Sequence, residues 1–519
     1  MKRFFKSMLP LVMLAGLAAC GQQTPGADNQ ASVDDNTPAF RILAGSELKD
    51  VADKVVAYGQ SQGVTVQFDY TGSLDAIDRL SETNKYDAVW LSHGKYLQLT
   101  PQVKSMVKAS EKTMYSRVVL GVKPEKMREL KWESGKTSWK DIVAATKAGK
   151  FHFAMTNPTG SNTGFVTLVG LASELAGKGD ALQAEDIPSD ELKKFFSGHV
   201  LTSGSSGTLA ESFVAQAQSV DGMFNYESVI RSVSAQVPLE VLIPKEGIIT
   251  ADYPLMLLAQ SQQAPFYEKL VAFLRSPEAQ KDIVQATNRT PLAGNGSDDV
   301  VNELPFPGSL KVVDAILKGF LDDYSRPASS YFVLDVSGSM EGERLDAMKN
   351  SMQALVRGDG TVSGRFAAIR SREKVALTAF SSTVDPVQEL TLTDSAETNR
   401  QALDKLGLVV ASLKIGGGTA IYDALLSIYD KAQGELRAGG RMVSIVLLTD
   451  GENNNGANLQ EFLAHVEAKG SPRVPVHAIL YGEGNVSEMT ALAQSTGGKT
   501  FDARKMSLKQ VMKAIRAYQ

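Results

Sequence analysis

Five residues in the C-terminal third have the types and order needed to hold a hard divalent cation: Asp335, Ser337, Ser339, Thr419 and Asp450. The stretch Asp335-Val336-Ser337-Gly338-Ser339 follows an apolar run, Tyr331-Phe332-Val333-Leu334, which reads as a buried strand of a parallel sheet. Gly338 turns the chain toward an amphipathic helix predicted to start near Gly342. One loop therefore aims a carboxylate and two hydroxyls from the carboxyl end of a strand, the edge at which open α/β sheets bind ligands. Hydroxyls with few carboxylates suit an oxygen-liganded cation such as Mg²⁺ or Ca²⁺. One loop cannot complete that shell, and two later segments offer partners. Gly416-Gly417-Gly418-Thr419 opens a helical pattern through Ile421, Ala424, Leu425 and Ile428. A second apolar strand, Val443 to Leu448, ends in Thr449-Asp450-Gly451. Asp, Ser, Thr and Gly favour strand-to-helix turns in their own right. Agreement of three separated loops in order and context argues for a shared site.

This set resembles the von Willebrand factor A domain and its metal-ion-dependent adhesion site, whose pattern is D-x-S-x-S, a threonine in a second loop and an aspartate in a third. The resemblance implies a Rossmann-like, doubly wound sheet over residues 329–519. It implies that Ser337, Ser339 and Thr419 contact the metal directly, with Asp335 and Asp450 doing so partly through water. An acidic side chain of a protein partner would then complete the shell.

A chain of 519 residues predicts several domains. Its net charge of −4 gives no concentrated basic surface, which argues against nucleic acid as a partner. Lys2 and Arg3 precede an apolar run from Met8 to Leu17 that is too short for a permanent span. The pattern reads as a secretory signal over residues 1–19. Leu17-Ala18-Ala19-Cys20 resembles the bacterial lipobox, implying cleavage before Cys20 and its lipidation. Cys20 is the sole cysteine, so no internal disulfide is available and the fold must rest on its core. Gly21 stands where lipoproteins retained at the inner membrane carry aspartate. The expectation is the periplasmic face of an outer membrane, or the cell surface where there is one membrane. Residues 20–38 have almost no large apolar side chains and read as a tether.

Residues 39–294 alternate strand, small polar loop and helix, which predicts α/β sheets. Strands are expected at 40–43, 64–68 and 87–91, with a return strand at 116–122 and a second lobe from about Ser138. Four Ser/Thr/Gly loops precede helices: Ser46; Thr71-Gly72-Ser73; Thr159 to Thr163, with Thr159, Gly160 and Ser161 as ligand candidates; and Ser203 to Ser206, with Ser205 and Ser206. Backbone N–H groups at helix N-termini form ready anion sites, although Ser and Thr also cap helices there. No Arg lies in these loops, which leaves a neutral polar or weakly charged ligand open. The order resembles two-lobed extracytoplasmic solute-binding proteins, especially the oxyanion-binding branch. The resemblance rests on loop placement, Tyr226-Glu227-Ser228, the Asp252-Tyr253-Pro254 crossing and Ser276-Pro277-Glu278-Ala279-Gln280. It adds Tyr226 and Tyr253 to the ligand residues. Residues 295–328 read as a linker with a connecting helix from about Leu310 to Tyr324.

The five histidines are scattered, no H-E-x-x-H motif occurs, and Gly498-Lys499-Thr500 lacks the first glycine of a phosphate loop. No enzyme is expected. The reading is an extracytoplasmic, lipid-anchored protein that binds a small polar or anionic solute between two lobes and a protein partner through a divalent metal. Two other readings stay open: the substrate-binding component of an ABC importer with a docking module, and an adhesion or assembly scaffold with a degenerate cleft.

Overall fold

The computed structural model describes residues 39–292, 302–358, 360–482, 484–505 and 507–518. The signal, Cys20 and the tether lie outside the described residues.

The first lobe begins with β1 (Ala39–Gly45), β2 (Thr65–Thr71), β3 (Ala88–Trp90) and β4 (Val107–Lys112). β1 pairs in parallel with β2 and β3. The helix Lys49–Ser61 between β1 and β2 buries Val51, Ala52, Val55 and Gly59. The chain then builds a second sheet from β5 (Ser116–Val122), β6 (Phe153–Thr156), β7 (His199–Ser203), β8 (Gly222–Tyr226), β9 (Glu240–Leu242) and β10 (Thr250–Ala251). It crosses back through Asp252-Tyr253 into β11 (Pro254–Leu258), which runs antiparallel to both β3 and β4. The sheet orders are β2-β1-β3-β11-β4 and β10-β5-β8-β6-β7, with β9 alongside β5.

Two details differ from the sequence expectation. The second lobe's sheet starts with β5, well before Ser138, because the return strand pairs with β8, β9 and β10. An apolar strand with no ligand loop reads alike whichever sheet takes it. β4 was not anticipated; it is a half-exposed strand of alternating burial with charged outward positions.

The C-terminal sheet is β12 (Ala328–Asp335), β13 (Lys374–Phe380), β14 (Gln388–Thr391), β15 (Met442–Thr449), β16 (Val476–Leu480) and β17 (Thr500–Asp502). Its order is β14-β13-β12-β15-β16-β17, parallel except for the edge strand β14. β12 sits centrally and is buried throughout. Phe332 and Leu334 pack into one core with Val446 and Leu448, while Tyr331 and Val333 pack on the other face with Ile445 and Leu447. Alternation with both faces apolar is what a helix-covered parallel sheet requires.

The helix Leu310–Gly319 continues as a wide turn, Phe320–Tyr324, and belongs to the core of the two lobes rather than to a free linker. Val312, Val313, Ile316 and Leu317 are buried there, and the Phe320 ring lies 5.0 Å from that of Phe196. Leu304 N donates to Ile248 O at 2.8 Å, so the end of the expected linker is also tied down.

Three histidines are sealed in these cores. Burial holds His93, His199 and His477 down at about 4 from an ordinary 6.5. Each folded-state value lies below its unfolded value, so the unfolded chain takes up more protons between about pH 6.5 and 4. Stability is fully present above pH 6.5 and is lost as pH falls toward 4. A melting-temperature series from pH 7 to 4 should fall steeply. The His477→Phe variant should fall less steeply in the C-terminal transition.

Candidate functional site

The carboxyl end of β12 places Asp335 fully inside the protein, with 0% exposure. Its Oδ1 accepts from Ser337 N at 2.8 Å and its Oδ2 from Thr449 Oγ1 at 2.7 Å. Burial pushes the Asp335 carboxyl up against the pull of these hydrogen bonds, and the nearby charge of Asp450 pushes the same way. The hydroxyls of Ser337 and Ser339 lie 3.1 Å apart. The glycine loop is locked against this turn: Gly338 N donates to Gly417 O at 2.9 Å, and Gly416 N to Val336 O at 2.7 Å. Thr419, two residues on, is buried; its N–H donates to Asn454 Oδ1 at 2.8 Å and its carbonyl accepts from Asn454 N at 3.0 Å. Asp450 is 6% exposed, and its Oδ1 is buried without a partner among the described residues. Its Oδ2 faces Arg344 Nη1 at 3.3 Å, and that same nitrogen donates to Ser339 O at 3.0 Å. The structure thus gathers Asp335, Ser337, Ser339, the Thr419 loop and Asp450 at one edge.

The donor set fits a hard cation. It consists of oxygens, it includes two carboxylates in a buried setting, and one carboxylate oxygen lacks a donor. Thr449 and Arg344 were not singled out from sequence. Thr449 directly precedes Asp450 at the strand end, so its position was the available signal. Arg344 carried no signal, being one charged residue on a helix rich in them.

Between the two lobes the predicted loops behave unequally. Gly72 lies against Gly160, where an added Cβ would stand 2.5 Å from the Gly160 carbonyl oxygen, so the lobes meet backbone to backbone. Thr71 Oγ1 donates to Asp75 Oδ2 at 2.8 Å, Thr159 Oγ1 to Asn157 Oδ1 at 2.8 Å, and Ser205 Oγ caps its helix by accepting from Thr208 N at 3.3 Å. Those three hydroxyls are engaged locally. Ser46 and Ser73 begin their helical turns, and Ser206 is buried with its carbonyl accepting from Asn225 Nδ2 at 3.0 Å. Ser161 precedes the helix Asn162–Ala176 as its cap residue without a side-chain capping bond. Tyr226 and Tyr253 are buried, their ring centroids 6.3 Å apart. Glu47, Ser92, Asn162 and Arg289 join them; Asn162 lies in the expected 159–163 loop, whereas Glu47, Ser92 and Arg289 were not expected as ligand residues. Glu47 adjoins the singled-out Ser46, whereas Arg289 reaches Asp50 across 239 positions, a pairing no local pattern announces. Burial pushes the Glu47 carboxyl up, against its hydrogen bond from Ser92 and the charge of Arg289.

The C-terminal domain rests on both lobes. Asp78 of the first lobe accepts from Val362 N at 2.8 Å, Ser363 N at 2.9 Å and Ser363 Oγ at 2.5 Å, with Lys513 Nζ 3.7 Å away. On the second lobe, Asn157 Nδ2 donates to Arg516 O at 3.4 Å and Tyr518 OH to Thr208 Oγ1 at 3.3 Å. A Cβ on Gly160 would meet Ala517, and one on Gly204 would meet the Tyr518 ring, each at 2.5 Å. The last helix, Leu508–Arg516, and the residues after it therefore cover two of the predicted ligand loops.

Fold and site together define a protein with a two-lobed domain followed by a doubly wound domain whose central strands end in buried oxygens. Residues 40–286 match the family model of bacterial extracellular solute-binding proteins and residues 331–514 that of the von Willebrand factor type A domain, so the chain joins a solute-binding domain to an A domain. The uncharacterized protein sll0103 of a Synechocystis strain is 29% identical over 181 residues, 34% of this chain and 38% of that protein. The chain thus spans less than half the length of that curated relative. Among solved structures, the periplasmic binding protein AfuA from Actinobacillus pleuropneumoniae, with fructose-6-phosphate bound, is 14% identical, with 55% of this chain and 98% of that chain covered and a TM-score of 0.45. The sulfate-binding protein SubI from Mycobacterium tuberculosis H37Rv is 18% identical, with 52% and 93% covered and a TM-score of 0.40.

Replacing Thr449 by Val removes the hydroxyl that donates to Asp335 and accepts from Gly451 N at 3.0 Å. It leaves a buried carboxylate oxygen short of a donor, a loss of about 1–3 kcal/mol. Denaturant unfolding of the variant should show a lowered midpoint for the A domain with an unchanged slope.

Proposed function

We propose that this chain is an extracytoplasmic lipoprotein with two recognition parts. Residues 39–294 close on a small polar solute, and residues 329–519 bind a divalent cation that engages an acidic side chain of a protein partner. The observation that carries the second part is the pair of serine hydroxyls 3.1 Å apart beside Asp335 and the unpartnered oxygen of Asp450. Ser337, Ser339 and Thr419 hold the cation directly, with Asp335 and Asp450 behind them. Few charged direct ligands leave the ion electron-poor. When bound, it supplies a positive centre with a coordination position for an external carboxylate.

The solute part is supported by the chemistry of the interlobe gap. Glu47, Ser92, Asn162, Tyr226 and Tyr253 form a buried polar cluster where the lobes meet, which favours a binding cleft over an inert one. Cys20 supplies the anchor, and the A domain contributes protein recognition.

A ligand that binds only the folded state stabilises it, by about 2.7 kcal/mol at a hundredfold excess over Kd. Mg²⁺ or Ca²⁺ should therefore raise the A-domain melting temperature of the full chain, and EDTA should reverse the shift. Asp335→Ala or Ser337→Ala should abolish the cation-dependent rise while leaving a cooperative transition. A cation-dependent rise of full size in both variants would refute the assignment.

A further inference from the structure

The interlobe cleft was expected to suit an anion, yet two of the buried oxygens gathered there, Glu47 Oε1 and Asn162 Oδ1, are acceptors that lack a donor among the described residues. The carboxyl of Glu47 folds back over Gly45, where any Cβ would stand 2.4 Å from Glu47 Oε1. That oxygen is buried and has no partner among the described residues. Ser92 hydrogen-bonds both the Glu47 carboxyl and the hydroxyl of Tyr226, joining the first lobe to the second. Asn162 Nδ2 donates to Tyr226 OH at 3.2 Å, and Asn162, 7% exposed, leaves its own Oδ1 unpartnered.

Tyr253 completes the cluster. It is fully buried, its hydroxyl faces the Arg289 guanidinium, and its φ of 41° is a left-handed conformation that a tyrosine rarely adopts. The backbone is held there on both sides. Tyr253 N donates to Ser92 O at 3.1 Å, and its carbonyl accepts from Trp90 Nε1 at 3.1 Å and Thr113 Oγ1 at 2.8 Å. Backbone strain held in place beside unpartnered buried polar atoms is the mark of a ligand contact.

Arg289 is the cation beside this cluster, but its fork is turned away. Its Nη1 donates to Asp50 Oδ2 and its Nη2 to Glu47 O, each at 2.7 Å, and its guanidinium lies 4.9 Å from the Tyr253 ring centre. The guanidinium is also engaged by the Tyr253 hydroxyl. A carboxyl keeps acceptor lone pairs in either protonation state. An oxyanion entering here would set its own acceptors against those of Glu47 and Asn162.

We propose that the cleft takes a solute presenting hydrogen-bond donors, an ammonium or hydroxyl head group, to Glu47 and Asn162, and that it rejects oxyanions. This deepens the solute-binding reading above and rests on it.

The test is thermal melting of the full chain with putrescine, glucose, sulfate and phosphate, for the wild type and for Glu47→Leu and Glu47→Gln. The proposal expects saturable stabilisation of the wild type by putrescine or glucose, none by sulfate or phosphate, and at least a tenfold loss of affinity in Glu47→Leu. Glu47→Gln keeps the shape and an acceptor but loses the charge. It should lose putrescine if the head group is an ammonium and retain glucose if it is a hydroxyl. Saturable stabilisation by sulfate or phosphate, or binding unchanged in Glu47→Leu, overturns the donor assignment while leaving the cleft a solute site. No stabilisation of the wild type by any of the four overturns the cleft as a solute site altogether.

Discussion

The carboxylate of Asp335 is the constraint around which the A domain closes. A charge in the middle of a parallel sheet, walled off from water, costs several kcal/mol unless neighbours answer it. Ser337 N and Thr449 Oγ1 answer both oxygens, one from the following turn and one from the adjacent strand β15. Those two bonds fix the turn that aligns Ser337 with Ser339. They also fix the strand end that carries Asp450. Gly416 and Gly417 can then approach closely enough for backbone bonds to Val336 and Gly338, bringing in the loop with Thr419. Three loops meet because one buried acid requires them to, and the gathered oxygens are the basis of the cation site we propose.

The same reasoning applies between the lobes at lower charge density. Glu47, Ser92, Tyr226 and Asn162 form a chain of polar contacts from one lobe to the other, with Arg289 and Asp50 alongside. The A domain touches both lobes. Asp78 binds it to the first lobe through Val362 and Ser363, and Tyr518 and Arg516 bind it to the second. A domain that contacts both lobes is sensitive to their separation, since a hinge motion moves one set of contacts relative to the other. The two domains are therefore mechanically joined.

Much of this was legible in the sequence. β12 and β15 could be read because both faces are buried, so their apolar runs are continuous and end sharply in Asp335 and Asp450. The crossing at Asp252-Tyr253-Pro254 was legible through the resemblance to two-lobed solute-binding proteins. What the sequence did not carry was pairing at a distance. β5 is an apolar strand of the same kind whichever sheet takes it, and only its partners β8 and β9 assign it to the second lobe. The helix Leu310–Gly319 shows a clear apolar stripe, but a stripe does not say which core receives it. Thr71, Thr159 and Ser205 were grouped as ligand hydroxyls, yet each has a local acceptor or donor within a few residues. Glu47 was passed over beside Ser46 because one carboxylate in a short turn reads as an exposed charge. Its value comes from burial that residues far along the chain provide.

The central claim is that the oxygens of the β12, Thr419 and β15 loops hold one divalent ion between them. Crystals of the full chain grown with Mn²⁺, with data collected at the manganese edge, test it most directly. The account predicts a single anomalous peak bounded by Ser337, Ser339 and Thr419, with Asp335 and Asp450 in its outer ring. A peak elsewhere, or no peak with the Arg344 guanidinium filling the space between Ser339 and Asp450, would contradict it.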